Sequence, residues 1–141
     1  MEKLSLKNQL CFKFYALSRH ITSLYRPLLE ELDLTYPQYL VMLVLWEKNQ
    51  ISVKDLGKHL ILDSGTLTPL LKRMEQKGLI ARRRSLQDER VVEVSLQEYG
   101  IQMKQKASCI PEQLHQSISI EPEELKQFAQ TLNKMMEQVA E

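Results

Sequence analysis

Residues 59–96 read HLILDSGTLTPLLKRMEQKGLIARRRSLQDERVVEVSL, and their reading decides the fold. Asp63-Ser64-Gly65-Thr66 is a helix start, because a short polar side chain can accept from the free amides of a first turn. The helix runs to about Lys77, where Gly78 supplies the stop. Pro69 falls early in it and removes about one backbone bond, so only a slight distortion is expected. Residues 79–84 and 91–96 are short, β-branched or alternating runs, and the polar residues 85–90 lie between them. That pattern predicts a β-hairpin with a charged tip.

Upstream, Ser52-Val53-Lys54-Asp55 starts a short helix that ends near His59. Two short helices joined by a tight turn and followed by a basic hairpin make a winged helix-turn-helix. Further upstream, Thr35 is placed as an N-cap with Gln38 at the third helical position, which is a capping box. Leu34 and Tyr39 suit a hydrophobic staple, and the apolar run 39–46 reads as a buried helix. Residues 6–32 carry one long helical pattern, with Leu10, Phe14, Leu17, Ile21, Leu24, Leu28 and Leu32 at steps of three and four. Pro27 is its one interruption and a candidate kink. Downstream, Ser95 to Glu98 reads as a second capping box, opening a helix to about Ser108. Pro111 bends or resets it. A last helix over 122–139 has Leu125, Phe128, Leu132, Met135, Met136 and Val139 on its apolar face.

The expected fold class is therefore mainly α with a small β-hairpin wing. It is a winged helix-turn-helix with N- and C-terminal dimerisation helices. A single domain over 1–141 is expected, with dimerisation helices at about 6–34 and 97–141 and the DNA-binding lobe at about 36–96.

Composition permits this and excludes other classes. The chain has 141 residues, 43% hydrophobic and 26% charged, as an ordinary soluble domain does. No apolar run approaches the ~18 residues of a membrane helix. MEKLSLKNQL has no apolar segment of a secretory signal, so a cytoplasmic location is expected. Two cysteines are too few for a disulfide scaffold. His20, His59 and His115 show no ligand spacing with either cysteine, and neither metal nor cofactor is expected.

Charge is local. Lys72, Arg73, Lys77, Arg82, Arg83, Arg84 and Arg90 stand against Glu75, Asp88 and Glu89, a segment of +4 in a chain of net +1. Such a patch suits the phosphates of double-stranded DNA, and equally a solvated helix face beside an exposed hairpin. In the first case the helix opened by Asp63 lies in the major groove with its N-terminal residues nearest the bases. The candidate DNA-binding residues are Ser64, Thr66 and Thr68, then Lys72 and Arg73. Hydroxyls discriminate bases weakly, and Arg73 is the sharper reader. At the wing, Arg90 suits the negative potential of a narrow minor groove, with Asp88 orienting it. The plainer alternative is a surface salt bridge worth ~0–1 kcal/mol. Arg82, Arg83 and Arg84 alternate along a strand, so at least one of them pairs elsewhere.

The recognition helix and wing in 59–96, with the stretches LDSGTLTPLLKRME and DER, resemble the MarR family. The resemblance implies a homodimer that reads an inverted repeat, with its wings in the flanking minor grooves.

Cys11 follows Gln9-Leu10 near the start of the first helix. Free amides and the positive end of the helix dipole favour a thiolate there. Tyr15 is one turn away. Tyr25, fourteen residues on, lies on roughly the same face but about 21 Å along the axis, so the two cannot touch within one helix. Two such helices crossing antiparallel in a dimer would bring Tyr25 of one chain to Cys11 of the other, and Tyr36 could join them. The competing reading is a small buried hydrophobe, as free cysteine often is.

Residues 8–46, through QLCF, YRPLL and LTYPQYLVMLVLW, resemble the organic-hydroperoxide-sensing branch of the MarR family. The resemblance implies that organic hydroperoxides oxidise Cys11 to a sulfenic acid. It also implies that tyrosines matching Tyr25 and Tyr36 reach the thiol from the other chain, with Tyr15 nearby, and that oxidation derepresses the target. In the two-cysteine version of these sensors a resolving cysteine lies later in the chain. Cys109 sits earlier than that cysteine would, and without resolution the sulfenic acid is capped by a small thiol or over-oxidised.

The function expected is a DNA-binding transcriptional repressor released by Cys11 oxidation. The alternative within the same fold is a repressor with a structural Cys11 and a small aromatic effector. A thiol peroxidase is disfavoured, because no pair of residues to turn the thiol over is visible and a wing has no purpose there.

Overall fold

The computed structural model describes residues 2–139. Met1, Ala140 and Glu141, the ends of the expected single domain, lie outside the described residues. Two short 3-10 turns, Glu2–Leu4 and Leu6–Asn8, precede α1 (Leu10–Glu30). There follow α2 (Tyr36–Lys48), β1 (Gln50–Ser52), α3 (Val53–Leu60) and α4 (Ser64–Gln76). Next come β2 (Ile80–Arg84), β3 (Val92–Leu96), α5 (Glu98–Ala107), α6 (Ile110–Gln116) and α7 (Pro122–Val139). The mainly helical fold with a wing is as expected.

The wing is one strand larger than the hairpin read from the sequence. The sheet is three-stranded and antiparallel in the order β1-β3-β2. Ile51 and Arg82 both face Val94 in register, one from each side. Only Ile51 of β1 is buried, and three residues are too few to display a period of two.

Three local expectations change. The first helix begins at Leu10, because Gln9 folds back on the preceding turns and donates from Nε2 to the carbonyls of Lys3 (2.7 Å) and Ser5 (3.2 Å). Pro27 does not divide α1, which is assigned as one helix from Leu10 to Glu30. Ser95 caps nothing: it pairs with Gln50 and Ala81 in the sheet, and Gln97, whose side chain makes no capping bond, is the N-cap of α5. Strand pairing holds Ser95 two residues short of the position a cap must occupy.

Other local signals are realised. Thr35 and Gln38 form the reciprocal capping box of α2. Asp63 Oδ1 accepts from Thr66 N at 2.7 Å and starts α4. Gly78 has a φ of +77°, the left-handed conformation that ends α4 and turns the chain into β2. Pro111 stands in the first turn of a new helix, α6, so it resets the chain rather than bending one helix.

The core gathers Leu29 of α1 with Met42, Leu45, Leu56, Leu67, Leu71, Met74, Leu79, Val94, Met103 and Ile110. It thus spans the end of α1, the winged lobe and the α5–α6 pair. Leu29 is the one buried residue of α1, and α7 buries none. Leu10, Phe12, Leu17, Phe128, Met135 and Met136 are all exposed. Large apolar residues left in water on two long helices mark faces that want a partner.

Candidate nucleic-acid interface and thiol site

The first candidate surface is built by α3, α4 and the wing. Ser64, Thr66, Thr68, Lys72 and Arg73 are exposed along α4, and Arg90 is exposed on the wing. Ser64, Thr68 and Arg90 line one open groove, together with Arg82 of the basic segment and with Lys54, which sequence reasoning did not single out. Thr66, Lys72 and Arg73 lie on α4 outside that groove. Lys54 was legible only as a first-turn residue of α3; its place across from the start of α4 comes from packing. The Thr68 hydroxyl donates to Ser64 O at 2.8 Å, so its proton is already committed to the helix. Its oxygen remains an acceptor.

The Asp63 carboxylate accepts from the Thr66 side chain and backbone, which holds its carboxyl below the usual range. A negative charge over the free amides of a first turn is also favoured by the helix dipole.

The three consecutive arginines divide, as alternation requires. Arg82 turns back to α4: its amide donates to Glu75 Oε2 at 2.9 Å and Nη2 donates to Oε1 at 3.3 Å. These bonds, the backbone one foremost, hold the Glu75 carboxyl below its ordinary value. Arg84 Nη1 donates to the Glu89 carbonyl at 2.8 Å, bracing the wing tip. Arg83 stands exposed. At the tip, Asp88 binds Arg90 through both carboxylate oxygens, and Ser85 N donates to Val91 O at 2.7 Å to close the loop.

The second candidate surface carries the thiol. Cys11 is exposed in the first turn of α1. Tyr15 is 61% exposed, with the Arg19 guanidinium 5.4 Å from its ring centre. Tyr25 and Tyr36 lie elsewhere, paired at 4.6 Å between ring centres. Tyr39, read from sequence only as a packing residue, joins them at 5.7 and 6.4 Å, and Trp46 continues the row at 6.3 Å. Burial, reinforced by Tyr36 and Tyr39, pushes the Tyr25 phenol up to about 12. Burial also raises Tyr36 and Tyr39. All three are therefore neutral hydrogen-bond donors at physiological pH.

Because α1 is a single helix, Cys11 and Tyr25 stand roughly 21 Å apart along its axis. The chain brings Tyr25 to Tyr36 and leaves Cys11 and Tyr15 at the other end. Cys109 is exposed just before α6, its Sγ donating to Lys106 O at 3.6 Å.

Residues 23–107, more than half of the chain, match the family described as the transcriptional regulator SarA/Rot. The chain belongs to that family. This SarA/Rot-family chain is also 51% identical over 136 residues to the organic hydroperoxide resistance transcriptional regulator of Bacillus subtilis. That match covers 96% of the chain and 92% of the relative. The structure of reduced AbfR bound to DNA, AbfR being a protein of Staphylococcus epidermidis, superposes with a TM-score of 0.79 at 36% identity. That superposition covers 99% of this chain and 98% of the other. AbsC, a MarR family transcriptional regulator from Streptomyces coelicolor, shares the fold at a TM-score of 0.84 and 20% identity, with 96% of each chain covered. The MarR-type resemblance read from residues 8–46 and 59–96 is thereby borne out, and the SarA/Rot-family chain is a transcriptional regulator rather than an enzyme.

Proposed function

We propose that this SarA/Rot-family chain acts as a homodimeric repressor of an organic peroxide response. It binds an inverted-repeat operator when reduced and leaves it when Cys11 is oxidised. Acting on DNA, it works in the cytoplasm. Ser64, Thr66, Thr68, Lys72 and Arg73 of α4 face the major groove, and Arg90, oriented by Asp88, enters the minor groove. The exposed apolar residues of α1 and α7 are covered by the second copy.

The observation that carries the redox part is the separation of Cys11 from the phenols. Tyr25 and Tyr36 hold two neutral donors side by side, while Cys11 of the same chain is exposed out of their reach at the far end of the helix that carries Tyr25. A second α1 crossing the first antiparallel completes both halves at once. In the reaction the Cys11 sulfur takes the terminal oxygen of a hydroperoxide and the O–O bond breaks. The alcohol leaves with the thiol proton, the peroxide is reduced, and the sulfur becomes a sulfenic acid. Tyr25 and Tyr36, with Tyr15 at the rim, donate hydrogen bonds to the sulfur.

A gel-shift assay with and without cumene hydroperoxide, on the natural protein and Cys11→Ser, tests the reading. Release of DNA by the natural protein and retention by the variant are expected; release by both overturns the sensor assignment. A second reading, a small aromatic effector, is favoured by an apolar recess of about 400 Å³ between α2 and the α5–α6 pair. It is lined by Tyr39, Leu43, Trp46, Ala107 and Pro111 with the polar Glu47 and Ser108, and Lys104, whose Nζ donates to Trp46 O at 3.0 Å, keeps further N–H bonds for a carboxylate. Unchanged DNA affinity after peroxide, with release by an aromatic acid, would establish that reading instead.

A further inference from the structure

We infer that Lys77 and Gln38 form a polar strut through which the tyrosine end of the molecule positions the DNA-facing helix α4. The inference rests on the proposed role of Tyr36 beside the oxidised thiol. Tyr36 is the first residue of α2, and Gln38, two residues later, is 3% exposed. Gln38 Oε1 accepts twice, from Thr35 N at 3.1 Å and from Lys77 Nζ at 3.2 Å. Lys77 Nζ also donates to the Asp33 carbonyl and faces Asp33 Oδ2 at 3.5 Å.

Two hydrogen-bond acceptors and one carboxylate oxygen at ion-pair distance thus surround one ammonium. Two of the three belong to Asp33 in the turn between α1 and α2, and the third to Gln38 in the first turn of α2. Lys77 itself closes α4, its amide donating to Arg73 O at 3.1 Å. One side chain therefore ties the end of the helix bearing Tyr25 and the start of the helix bearing Tyr36 to the C-terminal end of α4.

Neither helix needs this strut in order to form. The capping box of α2 is complete without Lys77, and Gly78 ends α4 by its own conformation. Leu67, Leu71 and Met74 keep α4 buried against the rest of the core in any case. What the strut adds is a fixed orientation between the turn at 33–38 and α4. A conversion of thiol to sulfenic acid against Tyr36 pushes on the start of α2. Gln38, two residues on in the same first turn, passes that displacement to Lys77, and α4 tilts away from its DNA-binding geometry.

Lys77→Met keeps the apolar stem and removes the three donors. Gln38→Met removes the acceptor at similar length and with it the Thr35 N bond of the capping box, a loss that the thermal midpoint reports separately. Three quantities are measured on the dimeric full chain: Cys11 oxidation by intact mass after cumene hydroperoxide, operator affinity reduced and oxidised, and thermal midpoint. Both variants are expected to oxidise at Cys11 as the natural protein does. Their ratio of reduced to oxidised affinity is expected to narrow by at least about fivefold, the lower end of ordinary site-to-site coupling. The double variant is expected to match the worse single one. A role in stability alone would lower the midpoint and leave the ratio unchanged, which overturns the strut. Additive losses in the double variant overturn it as one unit. If the natural protein keeps its DNA after oxidation, the proposed function falls and the strut with it; if the natural protein releases DNA and both variants release it equally, only the strut falls.

Discussion

Asp88 grips Arg90 on the same side of the wing tip: Nε donates to Oδ1 at 3.1 Å, Nη2 to Oδ2 at 3.2 Å, and the Arg90 amide to Oδ1 at 3.0 Å. The arginine itself is 90% exposed. An exposed ion pair adds little to stability, so the geometry's use lies in holding a cation ready for a phosphate or a groove.

Arg90→Ala is expected to weaken operator binding and to lower the dependence of log affinity on log salt by about two, roughly one for each subunit of the dimer. Asp88→Ala leaves the charge but frees the side chain, so it should reduce affinity less and leave the salt slope unchanged. Anisotropy titrations across a salt series check both. Equal affinities at moderate salt would remove Arg90 from the interface.

Acid should loosen the wing tip and the start of α4 together. The carboxyl of Asp88 is held down first by the Arg90 side chain and that of Asp63 first by the Thr66 hydrogen bond. A carboxyl depressed in the folded state contributes stability that is present above its unfolded value, near 3.9, and is lost as pH falls through the lower folded value. Asp63→Asn keeps an acceptor over the first turn and removes the titration. Carboxylate NMR titration should place both groups below the unfolded value, and the Asn variant should lose that part of the acid sensitivity.

The tyrosine row predicts an alkaline effect of the same kind. The folded Tyr25 phenol holds its proton to about 12, above the ordinary value near 10, because it is buried beside Tyr36 and Tyr39. Its contribution is complete below the ordinary value and is lost as pH rises through the interval up to the folded one. Phenolate absorbance should show a late titration step that Tyr25→Phe removes. A titration unchanged by the substitution would contradict the placement.

At the thiol, Tyr36→Phe should slow oxidation of Cys11 by organic hydroperoxide roughly tenfold or more. A hydrogen bond to a charged acceptor contributes about 1.5–3 kcal/mol, and that donor would be missing. Stopped-flow measurement of oxidation rate decides it. An unchanged rate would leave Tyr36 as a packing residue.

Gly100 is expected to be the position least tolerant of a methyl group. A Cβ there would lie 2.6 Å from the Leu79 carbonyl and 2.8 Å from Leu96 Cδ1, and the backbone carbonyl of Gly100 is held by Trp46 Nε1 at 2.8 Å. Gly100→Ala should cost about 1–3 kcal/mol, as overpacking of a tight contact does. Urea unfolding followed by Trp46 fluorescence would measure it, and an unchanged midpoint would mean that α5 can slide on the sheet.

Short-range signals were legible because their physics is short-range. Thr35 with Gln38, Asp63 with Thr66, and Gly78 each satisfy or redirect backbone within a few residues, and each sits in the structure as the sequence implied. The same reasoning misread Ser95, whose cap pattern is as good locally as that of Thr35. Pairing to Gln50 and Ala81 outweighed it, and those partners are 45 and 14 residues away in the chain. The missed strand β1 has the same origin, since three residues become a strand only when β3 is there to receive their hydrogen bonds.

The sequence by itself determined a winged helix-turn-helix, its basic segment, and a cysteine at the head of a long helix too far from Tyr25 to reach it. Tertiary structure alone decided which charges remain available: Arg82 spent on Glu75, Arg84 on Glu89, Lys77 on the turn at Asp33 and Gln38, and Arg90 left exposed on Asp88. It also gathered Tyr25, Tyr36, Tyr39 and Trp46 into one row. The reason is that a hydrogen bond or a ring contact depends on distance in space, and only the packed core of α2, α4 and the sheet sets distances between residues remote in sequence.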